Sequence, residues 1–479
     1  MTSVNDEKEK TLMTLSELLN STEGRLVGNP EGFYFTSVQT DSRNVTRGTM
    51  FVPLVGEFQN GHKYVPQAIE AGASVVLINK SEYEKEPEVY EDLSKQGVKF
   101  ILVENTLYGL QNAAEGYVTK FPDLIKIAVT GSCGKTTTKE MIVSVLKQKF
   151  NCVYTKGNFN SETGLPLSVF NIRKEHECGI FEMGMNRENE IGEIAKVLKP
   201  EYALITNIGT AHIGILGTRE NIAKEKRKVF DYIPENGYAF IPENDDFKDF
   251  AVENVKGNIV SFGYDIPKEK NGAEFIRENG LFGSVFSLDG IEINLPVSGK
   301  YNYQNALGAA ALAKVLGLSA VQIKKGLESF QNIGGRMEVK KSILLNGSEI
   351  VLVLDCYNAN PDSMEKSIEL CASQKGKKVF VLGDMKELGE KSFEAHKTVI
   401  NLVKEKLIDA CAFVGSEFLS AKNETSDENF KFFDSVESDG LKDFVLEHAG
   451  NDSIVLFKGS NSMKLGNLLN KIEKGDLIK

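Results

Sequence analysis

Two glycines, a lysine and a threonine lie close together in the run Gly131-Ser132-Cys133-Gly134-Lys135-Thr136. The apolar, β-branched residues 125–129 just before it predict a buried strand, and residues 137–149 predict a helix. In such a turn the backbone amides and the helix N-terminus face an anion, the lysine reaches terminal phosphates and the threonine hydroxyl binds Mg²⁺. The flanking strand and helix favour a nucleoside-triphosphate site over a chance glycine-rich turn, but the loop does not indicate which reaction follows.

Other polar side chains follow predicted strands further along the chain. Asn158 and Asn160 lie in a Gly-Asn-Phe-Asn segment, Glu182 lies near the end of one apolar run, and His212 follows another. A carboxylate in that position suits Mg²⁺, which prefers oxygen ligands. The asparagines could equally form a turn, and a single histidine after a strand is more often a structural hydrogen-bonding group. The basic stretch 224–228 is, by composition alone, a solvated helix face.

Strand-like apolar runs alternate with helical stretches in three consecutive parts of the chain. This alternation predicts an α/β fold with largely parallel sheets that bind ligands at the carboxyl ends of their strands. We predict a small amino-terminal α/β substrate domain over residues 1–108, a central P-loop ATPase-like domain over 109–332 and a carboxyl-terminal Rossmann-like domain over 333–479. Strands are predicted at 74–78, 100–103, 125–129, 178–183, 202–206, 350–354, 378–382, 410–414 and 453–457.

The composition limits the classes of function. The chain has 479 residues, enough for about three domains, and its formal net charge of −11 disfavours nucleic acid as a partner. Its six cysteines are scattered without a Cys-x-x-Cys pair, so free thiols in a reducing compartment are expected. The polar start MTSVNDEKEKT predicts no signal peptide, and no apolar run is long enough to insert into a membrane. We therefore expect a cytoplasmic protein and, without coiled-coil heptads, a monomer.

Motifs in all three parts of the chain resemble those of the Mur ligases, the ATP-dependent amide-bond ligases of peptidoglycan synthesis. The order and spacing of the motifs together carry the resemblance. YNANP and LGDMKELG particularly resemble the family member that adds D-alanyl-D-alanine. The motifs are TDSR at 40–43, TGSCGKTTTKEM at 130–141, GNFNSETGLPL at 157–167, FEMG at 181–184, TNIGTAH at 206–212, GRME at 335–338, DCYNANP at 355–361, LGDMKELG at 382–389 and KGS at 458–460.

The resemblance implies an ADP-forming ligase that joins D-alanyl-D-alanine to UDP-N-acetylmuramoyl-tripeptide in the synthesis of a cell-wall precursor. In this reaction the substrate carboxylate attacks the γ-phosphate of ATP to give an acyl phosphate, and the amine then displaces phosphate. Two anions meet in the first step, so positive charge must be concentrated there. Lys135 and two Mg²⁺ ions are expected to supply that charge.

The resemblance also assigns ligands to the two Mg²⁺ ions. Thr136 and Glu182 would hold the first ion. His212 and a carbamylated lysine would hold the second, because a carbamate turns a cationic amine into an oxygen donor. The family spacing selects Lys226 rather than Lys224 for this role. A carbamate forms on a neutral amine, so the lysine pKa must be lowered, and we expect neighbouring Lys and Arg charges to lower it.

The remaining site residues implied by the resemblance bind the nucleotide and the two substrates. ATP would contact the loop residues Gly131, Ser132, Cys133, Gly134, Lys135, Thr136 and Thr137, together with Asn302, Asn305, Arg336, Asp355 and Tyr357. Thr40, Ser42 and Arg43 would bind the uridine diphosphate end of the substrate, Asn158 and Asn160 would also contact substrate, and Asn358, Asn360 and Ser363 would bind the peptide end.

Two other functions stay open from the sequence. One is a sister ligase that adds a single amino acid, which the YNANP segment disfavours. The other is a nucleotide-dependent switch or binding protein, which the combination of Glu182, His212 and Lys226 disfavours. The third residue of the peptide, diaminopimelate or lysine, and any tolerance for D-alanyl-D-lactate or D-alanyl-D-serine are also open.

Overall fold

A computed structural model of the chain describes residues 11–332, 334–422 and 428–476. Three successive units each place helices against a mostly parallel sheet, which confirms the predicted α/β class. The boundaries after residues 108 and 332 stay predictions, and residue 333, the first of the predicted third domain, lies outside the described residues. Among the described residues, no helix combines the length and the apolar character needed to cross a membrane.

The first unit has a sheet of strand order β1-β5-β4-β3-β2, in which β1 is antiparallel to β5 and the other neighbours are parallel. Every residue of β5 is buried, as expected for a strand covered on both faces. The strands are β1 Arg25–Val27, β2 Ser37–Gln39, β3 Thr49–Phe51, β4 Ala73–Asn79 and β5 Lys99–Val103. The helices are α1 Leu15–Thr22, α2 Val65–Glu70, α3 Lys80–Tyr83, α4 Pro87–Lys95 and α5 Thr106–Val118.

The second unit has a fully parallel sheet of order β11-β10-β9-β6-β8-β7. Because β9, β6 and β8 are neighbours, the polar residues that follow them meet at one edge of the sheet. The strands are β6 Ile125–Thr130, β7 Cys152–Tyr154, β8 Cys178–Glu182, β9 Tyr202–Ile205, β10 Tyr238–Pro242 and β11 Asn258–Phe262. The helices are α6 Lys135–Leu146, α7 Gly164–Val169, α8 Glu190–Leu198, α9 Ile213–Leu216, α10 Arg219–Arg227, α11 Lys248–Val252, α12 Lys300–Val315 and α13 Ala320–Glu328.

A separate antiparallel sheet, which the sequence analysis did not predict, lies between α11 and α12. It has the order β12-β13-β14, with strands Glu274–Glu278, Ser284–Leu288 and Ile291–Leu295. Asp289 and Gly290 form the turn between β13 and β14 with φ values of +52° and +78°. An Asp-Gly pair is the usual sequence signal for such a two-residue hairpin turn, so the missed sheet was readable at this point.

The third unit has the strand order β19-β18-β17-β20-β16-β15-β21, in which β15 is antiparallel to both of its neighbours and the rest are parallel. The fully buried β20 lies in the middle of this sheet. The strands are β15 Glu338–Leu344, β16 Glu349–Asp355, β17 Lys378–Gly383, β18 Ala410–Val414, β19 Phe430–Phe433, β20 Ser453–Lys458 and β21 Glu473–Asp476. The helices are α14 Pro361–Ala372, α15 Ser392–Glu405, α16 Ser416–Ser420, α17 Leu441–His448 and α18 Gly466–Ile472.

Candidate active site

The phosphate loop, residues 130–137, joins the carboxyl end of β6 to the start of α6. A Cβ at Gly131 would lie 1.9 Å from Thr206 Oγ1, and a Cβ at Gly134 would lie 2.8 Å from the side-chain amide of Asn305. Both glycines also have positive φ values, +151° and +79°. The Cys133 amide donates to Asn207 Oδ1 at 2.9 Å. The loop is therefore clamped between the end of β9 and the helix α12, where a side chain at either glycine would not fit.

Two lysine side chains meet beneath this loop at a single carbonyl oxygen. Lys135 Nζ donates to Gly131 O at 2.9 Å, and Lys226 Nζ donates to the same oxygen at 3.0 Å. Lys226 is 1% exposed, whereas Lys224 on the same helix is exposed. Burial lowers the pKa of both buried amines, and the charge of Lys135 lowers the pKa of Lys226 further. The main cause is thus burial, and the contributing neighbour is Lys135 rather than the basic residues adjacent in sequence.

The buried carboxylate of Glu182 faces the loop from the end of β8. Its Oε1 accepts a hydrogen bond from Asn160 Nδ2 at 2.7 Å. Its Oε2 is buried and has no hydrogen-bond partner among the residues that the structure describes. Thr136, at the start of α6, is also buried and lines the same cavity as Glu182. An uncompensated carboxylate oxygen beside a hydroxyl is a suitable ligand set for a hard cation, so this pair fits Mg²⁺.

His212 is the residue just before α9, with a φ of +65°, and its ring faces the third unit. Its Nδ1 lies 3.1 Å from Oε2 of Glu387, a residue of the LGDMKELG segment. Burial, together with the charges of Lys135 and Lys226, lowers the pKa of His212, while Glu387 opposes this effect. Contact with His212 in turn lowers the pKa of Glu387. A neutral imidazole is the form that can ligate a metal ion.

Asp355, at the end of β16, organises the wall of the site that the third unit supplies. Its Oδ2 accepts hydrogen bonds from Lys458 Nζ at 2.6 Å and from Ser367 Oγ at 2.7 Å. The side chain of Lys458 is 1% exposed and that of Asp355 is 15% exposed, so this ion pair is largely shielded from solvent. Nearby, the guanidinium carbon of Arg336 lies 3.8 Å from the ring centroid of Tyr357. The wall therefore presents an aromatic ring and a stacked cation next to a fully paired carboxylate.

The second and third units touch directly beside these residues. The amide of Thr210 donates to Asp362 Oδ2 at 2.7 Å. A Cβ at Gly214 would lie 2.5 Å from the carbonyl carbon of Leu388, so the two backbones approach each other closely. These contacts hold the LGDMKELG segment against the segment that carries His212.

Residues from both units line one cavity of about 490 Å³. The predicted residues that line it are Ser132, Cys133, Gly134, Lys135, Thr136, Thr137, Asn158, Asn160, Glu182, His212, Asn302, Asn305, Arg336, Asp355, Tyr357, Asn358, Asn360 and Ser363. Lining residues that the sequence analysis did not select include Tyr301, Lys366, Ser367, Glu387 and Lys458. Glu387 lies in the motif LGDMKELG and Lys458 lies in the motif KGS. Both residues could therefore have been selected as site residues from the sequence.

Several predicted residues lie elsewhere. Gly131 and Lys226 do not line the cavity, but Gly131 O accepts hydrogen bonds from both Lys226 and the lining residue Lys135. Thr40, Ser42 and Arg43 belong to the first unit and are not part of the cavity lining either. Ser42 Oγ donates to Gln67 Oε1 at 3.0 Å, and the side chain of Arg43 is 82% exposed and paired with Asp41.

Asn360 and Ser363 line the cavity and also cap helix α14. The Ser363 amide donates to Asn360 Oδ1 at 2.9 Å, and the Asn360 amide donates to Ser363 Oγ at 3.1 Å. This reciprocal pair is a capping box, so both side chains have a structural role in addition to their place in the site. Asn360 Oδ1 also lies 3.5 Å from Cys133 Sγ, which joins the cap to the phosphate loop.

The chain is similar to known protein families over most of its length. Residues 34–117 match the family model "Mur ligase family, catalytic domain", residues 129–313 match "Mur ligase middle domain" and residues 335–461 match "Mur ligase, glutamate ligase domain". It is 39% identical over 461 residues to the UDP-N-acetylmuramoyl-tripeptide--D-alanyl-D-alanine ligase of Treponema pallidum, covering 95% of this chain and 98% of the relative. The chain belongs to the Mur ligase family.

Other Mur ligases align over nearly the whole chain. The UDP-N-acetylmuramoyl-tripeptide--D-alanyl-D-alanine ligase of Bacillus subtilis is 32% identical over 480 residues, covering 98% of this chain and 99% of the relative. The crystal structure of MurF from Acinetobacter baumannii superposes with a TM-score of 0.83 at 29% identity, covering 96% of this chain and 98% of that one. MurF from Thermotoga maritima, solved in complex with ADP, gives a TM-score of 0.74 at 25% identity and covers 91% and 96%. Mur ligases use ATP and Mg²⁺, in agreement with the nucleotide predicted for this loop.

Proposed function

We propose that this Mur ligase joins D-alanyl-D-alanine to UDP-N-acetylmuramoyl-tripeptide in the cytoplasm, as a monomer, and releases ADP and phosphate. One observation carries the proposal: the phosphate loop and the YNANP segment line the same cavity. The two segments also touch, because Cys133 Sγ lies 3.5 Å from Asn360 Oδ1. A phosphoryl donor bound by the loop and an amine bound by that segment would meet there. The relatives that carry this activity in their names align over almost the entire chain, which supports the same assignment.

In the proposed reaction, Lys135 offsets the charge of the phosphoryl group as the peptide carboxylate attacks it. Its amine is poised on Gly131 O and can turn to a phosphate oxygen when ATP enters. Mg²⁺ held by Thr136 and Glu182 would supply further charge neutralisation at the phosphates. The wall formed by Arg336, Asp355 and Tyr357 would hold the nucleoside and exclude water from the acyl phosphate.

Lys226 is proposed to be carbamylated and, with His212, to hold a second Mg²⁺. Its burial and its lowered pKa support this role, because a carbamate forms on a neutral amine. The exposed Lys224 lacks the burial that the role requires, since its side chain faces solvent.

The substrate contacts follow from the positions of the polar side chains. Asn302 and Asn305, buried on α12 beside the loop, are proposed to contact ATP. Asn158, Asn160, Asn358, Asn360 and Ser363 line the cavity and are proposed to contact the peptide end and the incoming dipeptide. Thr40, Ser42 and Arg43 are proposed to bind the uridine diphosphate end; the exposed guanidinium of Arg43 suits an anion.

The deciding experiment measures the release of phosphate from ATP. The peptide substrate and the amine substrate are supplied separately and then together. We expect release that requires both UDP-N-acetylmuramoyl-tripeptide and D-alanyl-D-alanine. A panel of amines tests the specificity: preference for a single amino acid over the dipeptide would identify a sister ligase. Phosphate release that is independent of both substrates would instead indicate a nucleotide-dependent switch.

A further inference from the structure

Two cysteines occupy paired positions at the edge of the second sheet. Cys152 begins β7 and Cys178 begins β8, and the two residues are register partners in this parallel pair. Both pack against the same hydrophobic cluster, so their side chains lie on the same face of the sheet. Neighbouring strands lie about 4.8 Å apart, which falls within the roughly 4.4–6.8 Å between Cα atoms that a disulfide spans.

The two thiols differ in access. Cys178 is fully buried, whereas Cys152 is partly exposed. Cys152 lines a groove of about 500 Å³ between the edge strand β2 of the first unit and the edge strand β7 of the second. Cys152 is therefore the thiol of the pair that borders a groove, while Cys178 is enclosed in the core.

The two thiols also differ in acidity. The adjacent thiol of Cys178 lowers the pKa of Cys152, and the nearby charge of Lys147 adds to this effect. Cys152 Sγ itself donates to Phe150 O at 3.5 Å. The same contact and burial raise the pKa of Cys178. The accessible thiol is thus the better nucleophile, and the buried thiol is placed behind it to complete a second step.

We propose that Cys152 and Cys178 form a reversible disulfide by exchange with a low-molecular-weight disulfide such as glutathione disulfide. The Cys152 thiolate attacks one glutathione sulfur, which forms a mixed disulfide and releases one glutathione thiolate. Cys178 then loses its proton and attacks the Cys152 sulfur, which forms the protein disulfide and releases the second glutathione. Two protein thiols are oxidised and one glutathione disulfide is reduced to two glutathiones, so electrons and atoms balance.

This site is separate from the catalytic cavity. Cys152 and Cys178 lie at the amino-terminal ends of β7 and β8, whereas the cavity lies at the carboxyl ends of the strands, where Glu182 ends β8. The disulfide would tie together the two strands that lead to Asn160 and Glu182. Cys371 and Cys411 are buried in the third unit and offer no comparable pair.

The test is equilibration of the whole protein in glutathione buffers of graded redox ratio, followed by acid quenching, thiol alkylation and tryptic peptide mapping. We expect a cross-linked species that joins peptides 150–156 and 175–187, that disappears in excess dithiol reductant, and that removes two of the six thiols. A cross-link that pairs Cys152 with any other cysteine, or a protein that keeps six thiols at every ratio, would overturn the proposal.

Two variants separate the roles of the thiols. C178A retains the attacking thiol, so it should stop at a mixed disulfide with glutathione on Cys152. C152S retains the buried thiol, so Cys178 should stay reduced at the same ratios. If C178A carries no adduct, or if C152S carries one on Cys178, the assignment of nucleophile and partner is wrong. The wild-type peptide map decides the proposal even if one variant does not fold.

Discussion

The two walls of the cavity differ in how their charged groups are satisfied. On the wall from the second unit, Lys135 and Lys226 share one carbonyl oxygen, and Glu182 Oε2 finds no partner in the part of the chain that the structure describes. On the wall from the third unit, Asp355 is bound by both Lys458 and Ser367. On the first wall the Glu182 carboxylate oxygen is available to a ligand, whereas on the second the Asp355 carboxylate is already paired with Lys458 and Arg336 Nε is the group left without a hydrogen-bond partner among the described residues.

This difference separates two kinds of substitution. Removing a charged group from the wall of the second unit removes an interaction with the ligand. It should change the free energy of unfolding only slightly. Removing one partner from the paired wall leaves a buried charge alone, which destabilises the folded state. Substitution of Lys135 should therefore mainly reduce turnover, and substitution of Lys458 should mainly reduce stability.

The largest effect is expected for Lys135→Ala. Loss of the amine that offsets phosphoryl charge should lower turnover by about 10²–10³-fold, the effect typical of removing one such donor. Circular dichroism and the unfolding midpoint should stay close to those of the parent. A variant that ligates at a nearly normal rate would contradict the assignment of the phosphate loop.

Lys226→Ala should come next, with turnover reduced by about a hundredfold, the upper range for groups that support a metal site. Small carboxylates such as acetate should restore part of the activity, because they can replace the oxygen donors of a carbamate. Lys224→Ala is the matched control, two residues away on the same helix, and should behave like the parent. If Lys224→Ala is inactive and Lys226→Ala is active, the carbamylated residue is Lys224. If both variants stay active, the carbamate proposal fails.

On the paired wall, Lys458→Met should lower the free energy of unfolding by about 3–5 kcal/mol, because it leaves the Asp355 carboxylate without its buried partner. Urea denaturation of the whole chain measures this change. Replacing both partners, Lys458→Met with Asp355→Leu, should recover part of the loss. If Lys458→Met alone is as stable as the parent, the pairing of Asp355 does not stabilise the wall of the third unit.

The smallest effect is expected for Glu387→Gln, at the contact between the walls. The Glu387 side chain is 54% exposed, so its pairing with His212 should contribute no more than about 1 kcal/mol, or about fivefold in rate. Because Glu387 raises the His212 pKa against the effect of burial, the variant histidine should titrate at lower pH, which NMR can follow. An unchanged titration would show that the carboxylate does not act on the imidazole.

Much of the fold was readable because buried parallel strands have a strong local pattern. The runs at 178–183 and 410–414, for example, coincide closely with β8 and β18. The antiparallel additions were missed because short, exposed strands such as β12 lack a continuous apolar run. The pairing of β1 with β5 and of β21 with β15 depends instead on contacts distant in sequence, which a pattern along the chain does not contain.

The same limit applies to the site. Residues that follow strand ends, such as Glu182 and His212, could be selected from their positions, and the cavity brings them together. Glu387 approaches His212 from a different unit, so its place depends on how two units pack. Lys226 was selected by the resemblance alone, because the sequence shows several lysines on one helix, and only the fold distinguishes the buried one. The uridine diphosphate contacts of Thr40, Ser42 and Arg43 stay predictions.

The position of β20 in the middle of the third sheet has a consequence for synthesis of the chain. Its neighbours β16 and β17 are made about a hundred and about seventy residues earlier, yet neither can complete its pairing until residues 453–458 have emerged from the ribosome. The second unit, by contrast, has all of its parallel strands by residue 262 and the helices α12 and α13 that pack on them by residue 328. During translation at about 5–20 residues per second, the phosphate loop can thus be folded for many seconds before the opposite wall exists. In that interval a nascent chain could bind nucleotide on one wall while it still has no means of closing over it.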